Sequence, residues 1–269
     1  MAPVSPGHCF VAAHSTTRDT THGHRRPQAR DRLRAAAARQ GCDIPVIPLT
    51  ALATAILLLG TPAILCGAFL HRLADRGHAR DTGLIWRAAV TDIPYLSGSV
   101  GPLIGWLECE TSDHQINALA ECFGELTTFD LLAAANSPTV GGDLLGPTYS
   151  LLRGTRSQQR AGAFFTPPGL SALLADVTGP GPGDRVYEPA CGTGGMVLAA
   201  VRSMRSRGLD PNSCTWTLND RDPLAVALAA VNMSARGVRT VQIHCADAFA
   251  EPAAGDSSEA WGMPHTNPA

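Results

Sequence analysis

The stretch Glu188-Pro189-Ala190-Cys191-Gly192-Thr193-Gly194-Gly195 constrains this chain more than any other. It follows the β-prone Arg185-Val186-Tyr187 and precedes the apolar run Met196 to Val201. Strand, glycine turn and helix in that order put a ligand at a helix N-terminus. Glycine supplies φ > 0 and lets the ligand approach the backbone. The acid at the head of the turn sets the ligand's charge. Glu188 repels a phosphate and attracts an ammonium group. No Gly-Lys-Ser/Thr is present, which argues against a phosphate-binding loop of the nucleotidase kind, and the spacing is not GxGxxG.

The surrounding pattern gives the fold. Strands are expected at about 185–188, 214–218 and 240–244, with helices at about 194–207 and 223–236. Gly237 sits where a helix C-terminus needs it. This β-α-β-α-β order predicts parallel strands with right-handed crossovers. Asn219-Asp220 ends the second strand and Asp247 comes just after the third. Upstream, Pro167 or Pro168 opens a short helix running to about Val177.

The glycine turn is similar to motif I of S-adenosylmethionine (SAM)-dependent methyltransferases. Phe164-Phe165-Thr166-Pro167-Pro168 resembles the FxTP entry of N6-adenine DNA methyltransferases, above all the modification (M) subunits of type I restriction systems. Asp143-Leu144-Leu145-Gly146-Pro147-Thr148-Tyr149-Ser150-Leu151-Leu152 is similar to a segment that precedes the entry motif in those subunits. The resemblance covers residues 142–249. It implies an α/β fold, a Rossmann-like SAM-dependent methyltransferase sheet carried here as far as its third strand, behind a helical N-terminal lobe.

The resemblance also implies site roles. SAM is the cofactor, and Gly192, Gly194 and Gly195 lie beside its amino acid end. Glu188 accepts from the ammonium, Asp220 holds the ribose hydroxyls and Asp247 receives the adenine. Phe165, Thr166 and Pro167 lie against the methionine. Read from the residues alone, other assignments stay open. Asp222 competes with Asp220 as the ribose partner, Glu188 is also placed to cap a helix, and Asp247 also reads as a strand end. The catalytic motif of the family, [N/D/S]-P-P-[Y/F], has one partial counterpart, Asn267-Pro268, which lacks the second proline and the aromatic. The implied reaction is methyl transfer to the N6 amine of adenine in DNA. The alternatives are a catalytically silent SAM-binding or DNA-associated subunit completed by a catalytic-half partner, and a methyltransferase acting on protein or RNA amines. A specificity protein and DNA are the implied partners. A sheet ending on its third strand also exposes an edge that favours association.

The remainder divides by composition. Residues 1–43 mix Pro, His, Thr and Arg and read as a disordered arm, with Gln28 to Gln40 a candidate helix. All 21 basic residues of the chain are Arg, and the net charge is -2, so charge alone does not announce a nucleic-acid binder. Residues 44–160 read as the helical lobe, 161–250 as the SAM-binding domain and 251–269 as a flexible tail. Ile44 to Leu70 carries no charge and is long enough to cross a membrane. Pro45, Pro48, Gly60 and Pro62 favour instead two buried helices, at about 49–59 and 63–75, so a membrane-tethered regulator is the lesser reading. Further helices are expected at 82–90 and 114–135, the latter capped by Ser112 or Asp113. Trp86, Trp106 and Phe123 read as core. The eight cysteines form no CxxC pair and no metal site is expected. They suit a reducing cytoplasm, and no signal peptide is apparent.

Overall fold

The computed structural model describes residues 46–60, 63–136, 142–153 and 166–249. The helical part comprises α1 (Val46–Leu58), α2 (Ala63–Leu73), α3 (Thr82–Asp92), α4 (Pro94–Ser99), α5 (Gly101–Ile104), α6 (Asp113–Leu126), α7 (Leu131–Asn136) and α8 (Leu145–Arg153). After α9 (Pro168–Thr178) come β1 (Arg185–Glu188), α10 (Gly195–Ser206), β2 (Thr215–Asp220), α11 (Pro223–Ala235) and β3 (Val241–Cys245). The strands are parallel and lie in the order β1-β2-β3. The expected arm, the candidate helix at 28–40 and the tail at 251–269 lie outside the described residues.

The charge-free stretch forms the two helices α1 and α2, with Gly60 after the first, while Pro48 sits in the first turn of α1, where a proline is tolerated. No helix among the described residues is long and apolar enough to cross a membrane. Helix α1 is buried almost all round, and its hydroxyls are paired inside the core. Thr54 Oγ1 lies 2.7 Å from the Thr50 carbonyl and accepts from the Trp86 indole at 2.9 Å. Thr50 Oγ1 accepts from the Trp106 indole at 3.1 Å. Trp86 and Phe123 are core residues, as expected, and Trp106 is half-buried.

The single helix expected over 114–135 is two. Ser112 opens α6 with a capping box, its hydroxyl accepting from Gln115 N at 3.3 Å while the Gln115 side chain accepts from Ser112 N at 3.0 Å. The helix stops at Thr127 and Thr128, whose hydroxyls donate back to the Gly124 and Glu125 carbonyls. Asp130 then accepts from Ala133 N at 2.9 Å and starts α7. Local hydroxyl and carboxylate partners thus outcompete a helical pattern that is otherwise continuous.

Helix α11 joins the halves of the molecule. Every residue from Ala225 to Ser234 is buried. Ala225, Ala227, Leu228, Ala230 and Val231 pack with α1, α4, α5 and α8 in one core. Ala229 and Met233 face the other way, into a second core with Val197, Val201, Trp216 and Leu218. A helix apolar on all sides has to be enclosed on all sides. Its ends are set by Asp222 and Gly237. Asp222 accepts from Leu224 N and Ala225 N, ahead of Pro223 in the first turn. Gly237 takes φ 64°, which ends the helix.

Candidate functional site

β1 delivers Glu188 to the head of the glycine turn, and the glycines give that turn its shape. Gly192 (φ 54°) and Gly194 (φ 90°) occupy the left-handed region that a side chain disfavours. Three bonds fasten the turn. Cys191 N donates to the Asn219 carbonyl at 2.8 Å, Gly192 N to Asp220 Oδ2 at 2.8 Å, and Gly194 N to the Cys191 carbonyl at 2.8 Å. Gly194 starts α10 without any side-chain cap, so the first-turn N–H groups have no capping partner from that residue.

The register of the sheet arranges the three expected acids as a staircase. Glu188 pairs with Leu218, and Asp220 lies two residues further along β2. Asp220 pairs with Cys245, and Asp247 lies two residues beyond it. The acids thus cross two strand spacings, roughly 10 Å. Asp220 braces the turn through Gly192 N and accepts from Asp222 N at 2.9 Å. Each of its oxygens keeps a further lone pair for a hydroxyl donor. Asp222 is committed elsewhere. Besides capping α11 it accepts from the Tyr149 hydroxyl and pairs with Arg153, both on α8. That leaves Asp220 as the freer of the two for a ribose. Asp247 is exposed and accepts from Phe249 N at 3.0 Å. Glu188 does not cap α10.

A cavity of about 210 Å³ opens beside the turn between α8, α9 and α10. Glu188, Cys191, Gly192, Gly195, Thr166 and Pro167 line it. Gly194, Asp220 and Asp247 are not in its wall, so the cavity gathers Glu188, Gly192, Gly195, Thr166 and Pro167 of the expected site and leaves those three outside. Phe165, Asn267 and Pro268 lie outside the described residues. Burial pushes the Glu188 carboxyl above the usual carboxylate range, and the Asp220 charge adds to this, while a bond from Ala190 N opposes it. The Cys191 thiol is pushed up too, by burial and then by the Asp220 and Glu188 charges. Glu188 in the wall and Asp220 behind it, bonded to Gly192 N of the turn, make the cavity mouth electronegative, which suits a cationic ligand.

Three groups escaped the sequence reading. Asn219 is fully buried, and its side-chain amide donates to the Pro189 carbonyl at 3.1 Å and the Ala246 carbonyl at 3.0 Å. Its Oδ1 accepts from Ala246 N at 3.1 Å. It therefore clips the turn after β1 to the chain leaving β3. Asp143, at the head of the segment before α8, is buried against the turn. Its Oδ2 accepts from Thr193 Oγ1 at 2.7 Å, and its Oδ1 accepts from Gly146 N at 2.8 Å and Asn232 Nδ2 at 2.9 Å. Asn232, on α11, also donates to the Thr193 carbonyl at 2.8 Å. Burial raises the Asp143 carboxyl, and these bonds pull it back. The helical part of the chain thus holds the glycine turn directly, through a buried carboxylate that accepts three hydrogen bonds.

Residues 141–268 match the model of the N-6 DNA methylase family. The methylase subunit of the type I restriction enzyme MjaIX of Methanocaldococcus jannaschii is 32% identical over 98 residues, covering 35% of this chain and 17% of that protein. The methylase subunit of the type I restriction enzyme HindI of Haemophilus influenzae is 31% identical over 114 residues, covering 41% of this chain and 26% of that protein. The match thus spans about a quarter or less of either relative's length. A type I restriction-modification methyltransferase subunit from Streptococcus thermophilus superposes with a TM-score of 0.44 at 18% identity, over 86% of this chain and 60% of that one.

Proposed function

From the place of residues 141–268 in the N-6 DNA methylase family, we propose that this chain binds SAM and serves methyl transfer to the N6 amine of adenine in DNA. The observation that carries the reading is the acid staircase beside a glycine turn that has two left-handed glycines. The residues suit the cofactor. Burial raises the Glu188 carboxyl, and an ammonium beside it would favour the charged form again. Asp220 presents spare lone pairs where ribose hydroxyls would lie, and Asp247 stands exposed at the third strand for the adenine. Thr166 and Pro167 close the methionine end. When bound, SAM supplies an electrophilic methyl group. The chain's own part is to fix the cofactor's orientation through the turn and to hold its positive end in an electronegative mouth. Asn267-Pro268 is the proposed remnant of the motif that accepts from the target amine. DNA and a protein partner, one that supplies specificity or one that completes the catalytic half, are its proposed associates.

The test is calorimetric titration of SAM into the chain and into Asp220→Ala. The wild type is expected to bind saturably, and the variant to bind roughly tenfold or more weakly, from the loss of hydrogen bonds to a charged group. A folded wild-type chain that binds no SAM overturns the reading. DNA from cells expressing the chain is then sequenced for N6-methyladenine. SAM binding without methylated adenine favours a silent, partner-dependent subunit.

A further inference from the structure

The cavity beside the glycine turn is lined by two residues with a buried polar atom that no described residue satisfies. Ser171, on α9, is 3% exposed, and its Oγ has no hydrogen-bond partner among the described residues. Arg202, on α10, has its Nε buried and equally unpartnered. Both residues line the cavity, together with Thr166 and Glu188. Buried polar atoms are nearly always paired, and leaving one unpaired costs about 1–3 kcal/mol. Two such atoms in one cavity wall mark a place built for something that accepts hydrogen bonds.

The charge around them says what it accepts. Among the described residues Arg202 makes no ion pair. The chain segments on either side of α8, residues 137–141 and 154–165, contain no Asp or Glu to supply one. Arg205 and Arg236 lie close by. The Arg236 guanidinium is held below its usual range first by burial and then by the charges of Arg202 and Arg205. Asp143 also lines this wall, but its carboxylate is taken up by Gly146 N, Thr193 Oγ1 and Asn232 Nδ2, so Arg202 is the cavity-lining cation without an ion-pair partner among the described residues, across from Glu188. An α-amino acid presents one charge of each sign.

We propose that Arg202 and Ser171 form the subsite for the α-carboxylate of the cofactor's methionine end. The proposal rests on the SAM reading above and deepens it. The guanidinium supplies a charge-assisted fork, and the Ser171 hydroxyl supplies a third donor. Glu188 takes the ammonium of the same amino acid. The cavity then discriminates ligands that carry an intact amino acid from those that carry only the adenosine.

Titration of two ligands into four proteins tests this. The ligands are SAM and 5′-methylthioadenosine, which keeps the adenosine and lacks the amino acid. The proteins are the wild type, Arg202→Met, Arg202→Lys and Ser171→Ala, each checked for folding by circular dichroism. Arg202→Met is expected to weaken SAM by roughly tenfold to a hundredfold and to leave methylthioadenosine unchanged. Arg202→Lys recovers part of the loss, and Ser171→Ala weakens SAM alone, by a smaller factor. Equal losses for both ligands would mean that the two side chains merely support the fold, and would overturn the subsite. So would unchanged SAM affinity accompanied by weaker DNA binding, which would assign Arg202 to a phosphate. A wild type that binds methylthioadenosine and SAM equally overturns the subsite while leaving the cofactor site standing. A wild type that binds neither overturns both.

Discussion

Gly146→Ala is expected to destabilise the chain by about 3 kcal/mol and to abolish SAM binding. A Cβ at this position would fall within 2.5 Å of Thr193 Oγ1 and closer still to Asp143 Oδ2. Neither atom is the free end of a flexible side chain. Asp143 is held by Gly146 N, Thr193 and Asn232, and Thr193 belongs to the ligand turn itself. The methyl group therefore pushes α8 away from the turn or breaks the buried network. Overpacking alone costs about 1–3 kcal/mol, and a buried carboxylate stripped of a donor adds about 1–3 kcal/mol. Denaturant unfolding measures the loss, and calorimetry measures the binding. A Gly146→Ala chain with wild-type stability and affinity would mean that α8 does not hold the turn.

Glu188→Gln is expected to act in opposite directions on stability and on binding. The Glu188 carboxyl is raised in the folded chain, by burial and then by Asp220. Between its unfolded and folded pKa values the native state binds more protons than the unfolded state. Stability of the ligand-free chain therefore falls as pH rises through that window, and the full cost is present above it. Glutamine removes the charge and the cost, so the melting temperature of the free chain at neutral pH rises. The same change deletes the ammonium's partner, and SAM affinity drops by roughly a hundredfold. In the wild type, affinity falls as pH is lowered through the raised pKa, because the carboxylate takes up a proton. In the variant this part of the pH profile is flat. Equal affinity for SAM in the two proteins would show that Glu188 does not meet the ammonium.

The elements were legible where sequence punctuation is local. Pro168, Asp222-Pro223, Gly194 and Gly237 place the ends of α9, α10 and α11 because a ring, a cap or a left-handed residue acts within one turn of chain. The glycine turn and the three acids were legible for the same reason, each standing at the end of a short β-prone run. The charge-free stretch 44–70 was ambiguous on hydropathy, and its prolines decided it. The split between α6 and α7 was missed because Thr127, Thr128 and Asp130 act through side-chain bonds that a periodic pattern does not register. The site's supports were hidden for a different reason. Thr193 and Asn232 stand 50 and 89 residues from Asp143, and the Asn219 amide reaches 30 residues back and 27 forward. No spacing rule connects such partners. Ser171 and Arg202 carry no motif or spacing signal, and only the shared cavity sets them apart.

The enclosure of α11 has a consequence for how the molecule opens. A segment flanked by two cores can expose its amides only when one core is torn from the other, so no partial breathing of either side frees it. In deuterium the amides of Ala227 to Val231 should exchange last, at the rate of complete unfolding. Their protection should fall in step with denaturant alongside that of β2. SAM should slow them and the strand amides by the same factor, since a ligand that stabilises one side of an indivisible unit stabilises all of it.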